Sequence, residues 1–107
     1  MSGRVASVDL EAYKNTVLYT AAPLTVVTFN TAFVNRGINP VKVRLAILDG
    51  GIGALDLKDY VEYDFSLSGQ GKVLERTGMV IKAGQSIMAR TDIATVSISI
   101  FAWVKVA

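Results

Sequence analysis

The sequence predicts an all-β fold, a single antiparallel β-sandwich of about seven to eight strands, and three observations predict it. Apolar residues recur with a period of two over most of the chain, the mark of strands with one buried face. Glycine, asparagine, aspartate and proline cluster between those runs, at spacings of about ten residues. Nothing longer than a single turn carries helical period. These signals suit a jelly-roll or an immunoglobulin-like winding equally.

The elements come in this order. Residues 1–15 fit either an N-terminal arm reaching a neighbour or an ordinary first strand, because Val5, Val8 and Leu10 suit both; the sandwich domain is expected over 16–107. Thr16 to Thr20 and Leu24 to Asn35 are rich in threonine, valine and phenylalanine, which pack well on a pleated, half-buried surface. Pro23 lies between them, where the lack of an N–H does no harm to a ladder. After the turn Asn35-Arg36-Gly37 and Asn39-Pro40, Val41, Val43, Leu45 and Ile47 are expected inward, with Lys42, Arg44 and Ala46 outward. Asp49-Gly50-Gly51-Ile52-Gly53 makes the next turn, and Ala54 to Asp59 suits one helical turn. Over Tyr60 to Leu67 the alternation places Val61, Tyr63, Phe65 and Leu67 inward, and Tyr60, Glu62, Asp64 and Ser66 outward. Turns at Ser68 to Gly71 and at Ala83-Gly84 separate the later strands.

The last strand, Thr95 to Val106, sets Val96, Ile98, Ile100, Ala102, Val104 and Val106 on one face. Its other face is polar at Thr95, Ser97 and Ser99, then turns aromatic at Phe101 and Trp103. A strand that changes character in this way passes from solvent under some cover. The cover is either a loop of the same chain or a neighbouring subunit, which makes Phe101 and Trp103 the candidate subunit interface.

The 107 residues make one domain, 51% hydrophobic and only 19% charged. So apolar a small chain implies either a membrane or burial against other subunits. The uncharged run from Asn15 to Asn35 is long enough to span a bilayer, but it holds five threonines, three asparagines and Pro23, unlike a spanning helix. The start of the chain has no apolar run resembling a signal peptide, so synthesis in the cytoplasm is expected. Subunit burial is the better account.

The chain has neither cysteine nor histidine, which removes disulfides, Ser-His and Cys-His nucleophile systems and the usual zinc sites. A net charge of +2 with scattered basic residues, densest at Arg36, Lys42 and Arg44, does not suggest nucleic acid. Glu62 and Asp64, two apart on one strand, have the spacing of an acid–base pair or of part of a calcium site. Pairing with Val41–Leu48 would instead set them opposite Lys42 and Arg44 as cross-strand ion pairs, and this is the expected arrangement. Gly50-Gly51-Ile52-Gly53 lacks the lysine and threonine of a phosphate loop and reads as a turn. No catalytic residue, cofactor site or metal site is expected.

Six segments, in this order and spacing, carry a resemblance: Val34-Asn-Arg-Gly37, Val43-Arg-Leu-Ala-Ile47, Asp59-Tyr-Val-Glu-Tyr-Asp64, Val73-Leu-Glu-Arg-Thr-Gly78, Ala83-Gly-Gln85 and Ala94-Thr-Val-Ser-Ile98. The chain resembles a small β-sandwich module found in virion structural proteins of tailed bacteriophages, notably those of cyanobacteria and other aquatic bacteria. The resemblance implies a sandwich fold and a place in the virion, and it carries over no catalytic or ligand residue. The chain departs at its end: Phe101-Ala-Trp-Val-Lys-Val-Ala107 stands where the module usually closes with an acidic, glycine-containing tail.

The expected function is therefore that of a phage virion structural protein, foremost a capsid decoration, or cement, protein that stabilises the head. Its expected partners are its own copies, as a homotrimer, and other virion proteins such as the major capsid protein, with no nucleic acid and no membrane. A tail, collar or fibre component and a carbohydrate-binding module are the alternatives; an enzyme is not expected.

Overall fold

The computed structural model describes residues 2–106. Met1 and Ala107, at the outer ends of the expected 1–15 and 16–107 segments, lie outside the described residues. Eight strands form, β1 (Ser2–Asp9), β2 (Thr16–Thr20), β3 (Thr25–Asn35), β4 (Val41–Leu48), β5 (Tyr60–Leu67), β6 (Lys72–Lys82), β7 (Ser86–Thr91) and β8 (Val96–Val106). They make two four-stranded antiparallel sheets, β1-β8-β3-β6 and β2-β7-β4-β5.

The strand order has a simple origin. The first strand pairs with the last, β2 with β7, β3 with β6 and β4 with β5. The chain is in effect one long hairpin, folded back on itself and rolled so that alternate pairs fall in opposite sheets. This is the winding of a jelly roll. An immunoglobulin-like sandwich pairs its strands in another order, so the topology decides between the two alternatives that the periodicity leaves open.

Between the sheets lies one apolar core. Val27, Phe29 and Phe33 of β3 and Val96, Ile98, Ile100 and Ala102 of β8 meet Val41, Val43 and Leu45 of β4 and Ile87 and Ala89 of β7. These are the alternate residues of each strand, as a two-residue period requires. With no cysteine in the chain, burial of these side chains, at roughly 1.5–3 kcal/mol each, holds the fold together. Leu10, Ala21 and Leu67 close the core from the loops and strand ends.

Of the two alternatives for residues 1–15 the first strand is the one that forms: β1 pairs with β8 over most of its length and makes an edge of the first sheet, so the sandwich begins before residue 16 and not at it. Other expectations are corrected. The β5 strand does not keep simple alternation, because its register against β4 shifts between Val43 and Leu45 and again between Leu45 and Ala46. Asp64 at a shift has φ of 52°, left-handed backbone that bulges commonly use. Each extra residue reverses the facing of the residues beyond it. Glu62 therefore stands opposite the core residue Leu45, and Tyr63 leaves the interior with 54% of its surface exposed. On β8 the buried alternation ends at Ala102: Val104 is half-buried and Val106 is exposed.

Ala46, expected on a wet face, is fully buried. The β4–β5 connection makes two short 3₁₀ turns, Ile52–Ala54 and Leu57–Asp59, in place of the single turn expected over Ala54 to Asp59. The second is tied by the Asp56 amide donating to the Asp59 carboxylate at 2.9 Å. Leu55 from this connection and Tyr60 cover Ala46, Leu48 and Met88, a small second core on the outside of the second sheet.

One core position is a local misfit. Thr31 is 1% exposed, and its hydroxyl finds no hydrogen-bond partner among the described residues. A buried hydroxyl without a partner costs about 1–3 kcal/mol. Thr31→Val, which keeps the branched shape, should raise stability by about 1 kcal/mol, read as an increase in urea midpoint at unchanged slope; a lower midpoint would show that the hydroxyl is satisfied.

Candidate functional site

The two outer faces of the sandwich differ in character, and each holds candidate functional residues.

On the first sheet, β8 and β3 run side by side in long register, with Trp103 opposite Thr28 and Phe101 opposite Asn30. Beyond Thr28 on β6 stands Val80, and beyond Phe101 on β1 stands Arg4. Phe101 is 41%, Trp103 52% and Val80 56% exposed. Both rings thus keep about half of their surface exposed, so the described residues do not bury them. Further along the face, Val34 lies between Ser97 and Val73, the latter exposed. The result is a sheet face whose aromatic end carries Arg4, Lys82 and Lys105 and whose other end carries Glu75 and Asp9.

Of the expected cross-strand ion pairs one forms, and the partners of Lys42 and Glu62 differ. Arg44 takes Asp64 in a two-pronged contact, Nε to Oδ1 at 2.6 Å and Nη2 to Oδ2 at 3.2 Å. Glu62 instead accepts from Arg76 of β6 at 2.9 Å, an ion pair between β5 and β6, the edge strands of the two sheets. Lys42 pairs with neither carboxylate; its backbone N–H donates to Asp92 Oδ1 at 2.8 Å. Glu62 and Asp64 are thus drawn apart by separate arginines. Among the described residues no cluster of acidic side chains converges where a cation could be held.

The guanidinium of Arg44 holds the Asp64 carboxyl below the usual carboxylate range, mainly through the direct hydrogen bonds and further through its charge, with Lys42 and Arg90 adding to the field. A lowered folded pKa means the pair's stabilisation is complete above the unfolded value of about 3.9 and is lost as pH falls through the lower folded value. Asp64→Asn should therefore be less stable than the parent at neutral pH and converge with it only well below pH 4, as followed by thermal melts across an acid series. Equal melts at neutral pH would show the pair to be without effect.

Arg44 also packs on Tyr63, 4.2 Å from the ring centroid, and near Tyr60 at 5.7 Å. Directly opposite Arg44 on β7 stands Arg90. With Lys42 and Asp92 they line an open cleft of about 180 Å³ on the second sheet. Tyr13, 70% exposed, forms another part of its wall, and the Arg90 guanidinium lies 5.6 Å from its ring centroid. Of the basic residues densest in the sequence, Arg36, Lys42 and Arg44, the cleft takes Lys42 and Arg44 and adds Arg90, while Arg36 is not in its lining and pairs with Asp9 at 3.1 Å. Periodicity could not find this set, because Tyr13 and Arg90 come from segments far apart in sequence.

The glycine-rich turn at Gly50 to Gly53 leads into the first 3₁₀ turn and takes no part in the cleft. No helix among the described residues is long and apolar enough to cross a membrane. Comparison of the chain with known protein families, with curated proteins and with solved structures finds no match.

Proposed function

We propose that this chain is a structural protein of a bacteriophage virion, foremost a capsid decoration protein that associates as a homotrimer and docks on the shell. The observation that carries the proposal is the half-exposed aromatic end of the first sheet, Phe101 and Trp103, with Val80 beyond Thr28 on the same face. Large aromatic side chains are what protein interfaces concentrate at their centres, with a polar rim around them. Here Arg4, Lys82 and Lys105 supply such a rim. The jelly roll supports the proposal only by analogy, because viral capsid domains and lectins both use it. The six segments resembling phage virion modules point the same way.

The mechanism is mass action. A chain that binds the assembled shell and not its separated subunits stabilises the shell by its own binding free energy. A closed trimer suits a local three-fold junction, and closed symmetry is the common solution for one repeated chain. Light scattering after size exclusion tests the association: a trimer that falls to monomer in Phe101→Ser/Trp103→Ser supports it. Heating particles with and without the chain tests the cement role, and equal survival sinks it. A low copy number per particle would move the chain to the tail or fibre.

A further inference from the structure

The cleft on the second sheet breaks two rules of stability at once. Arg44 and Arg90 are direct cross-strand neighbours, an arrangement in which like charges are destabilising. Lys42 lies on the same face of β4, two residues from Arg44. Of these three cations only Arg44 has a carboxylate partner; among the described residues no ion pair engages Lys42 or Arg90. The nearby Asp92 already gives Oδ1 to the Lys42 backbone amide.

Tyr13 is the second breach. It has φ of 57°, a conformation uncommon for a residue with a side chain, and stays largely exposed. Its N–H donates to the Thr91 carbonyl at 2.8 Å, and Ala12 bridges to the same residue, so the backbone that carries the ring is anchored beside the cleft. The Arg90 guanidinium lies 5.6 Å from the centroid of this ring, which offsets only part of the strain, and local rules broken in this way gather at functional sites.

We propose that this cleft binds an acidic sugar residue, a uronate or sialate of a surface glycan, through Lys42, Arg90 and the ring of Tyr13. The sugar carboxylate lies between the Lys42 ammonium and the Arg90 guanidinium, which supply charge-assisted hydrogen bonds. The apolar face of the sugar ring rests on Tyr13. The remaining oxygen of Asp92 accepts from a sugar hydroxyl. The volume of about 180 Å³ is below the roughly 300–1,000 Å³ of drug-sized sites and suits a single ring. Two carboxylates line the same cleft, Asp64 and Asp92, and they repel a dianionic phosphate or a nucleic-acid backbone more than a monoanion. The proposal is independent of the virion assignment, which rests on the opposite sheet.

The test is a titration of the full chain followed by backbone amide shifts in NMR. The probes are glucuronate, galacturonate and N-acetylneuraminate, with glucose, inorganic phosphate and oligothymidylate as comparisons, to about 20 mM, past the Kd of a weak single-ring ligand. The expected result is saturable shifts at Tyr13, Lys42 and Arg90 with at least one acidic sugar, and none with glucose. Lys42→Ala and Arg90→Ala should each weaken that binding about tenfold or more, as expected for one lost charge-assisted bond, while Arg36→Ala should leave it unchanged. Absence of binding by all three acidic sugars overturns the proposal. So does equal binding of glucose, or tighter binding of phosphate or oligothymidylate, which would make this an anion or nucleic-acid site. These outcomes in the unsubstituted chain decide the matter even if a variant fails to fold.

Discussion

Asn35→Leu should destabilise the chain by about 3–5 kcal/mol, a large part of the 5–15 kcal/mol that holds a typical domain. The side chain is fully buried at the end of β3 and satisfies four groups at once. Its Nδ2 donates to the carbonyls of Asn39 at 2.8 Å and Leu67 at 3.2 Å. Its Oδ1 accepts from the Gly37 amide at 3.0 Å and the Thr95 hydroxyl at 2.8 Å. One amide thus joins the β3–β4 turn, the end of β5 and the β7–β8 turn. Leucine fills the space and abandons all four partners where water has little access. A urea titration reads the loss as a lower midpoint, and a shift below about 1 kcal/mol would mean that the three segments hold together without Asn35.

Asn35→Asp sharpens the prediction. An ionised carboxylate there would face two carbonyl oxygens and be buried, and both effects raise its pKa. A group whose folded pKa is raised and whose charged form is penalised gives a protein that grows more stable as pH falls through that value. Asn35→Asp should therefore recover stability on acidification from neutral pH relative to Asn35→Leu, which has no proton to gain. Parallel pH profiles for the two variants would rule out this account of the site.

The same residue shows what the sequence makes legible and what it does not. Period and turn composition locate β2, β4 and β5 at their observed ends, because one buried face forces alternation. Asn35 reads as the end of a strand and the start of a turn and no more, since its partners lie at positions 37, 39, 67 and 95. The facing of β5 is lost for a different reason. A bulge at Asp64 leaves no mark in the alternation of Tyr60 to Leu67, yet it sends Glu62 to Arg76 and Tyr63 to Arg44. The Arg44–Asp64 contact is legible because it needs only adjacent strands. Ala46 shows the third kind of failure: its cover comes from the β4–β5 connection, whose path composition does not specify. Phe101 and Trp103 are legible as an anomaly of pattern, and the exposed face they form is what that anomaly describes.

Gly69→Ala should be the most damaging single-methyl change in the chain, at about 3 kcal/mol or more. A Cβ at Gly69 would lie 2.6 Å from the Gly37 carbonyl oxygen and from the Ile38 carbonyl. These are backbone atoms and cannot swing aside as a side chain can. The two turns would have to part, and with them the Gln70 amide bond to the Gly37 carbonyl at 2.6 Å. Gly71, two residues on, offers the control. It has φ of 78° but open space around it, so Gly71→Ala meets only left-handed strain, about 1–2 kcal/mol. Gly53, with open space and no such φ, should accept alanine with little change. The order of harm is then Gly69, Gly71, Gly53, set by close approach first and backbone conformation second. Because Gly69 packs against the turn that Asn35 pins, Gly69→Ala and Asn35→Leu should be less than additive when combined. Additive losses, or Gly71→Ala proving the worse of the two glycine changes, would show that the turns are not held as one unit.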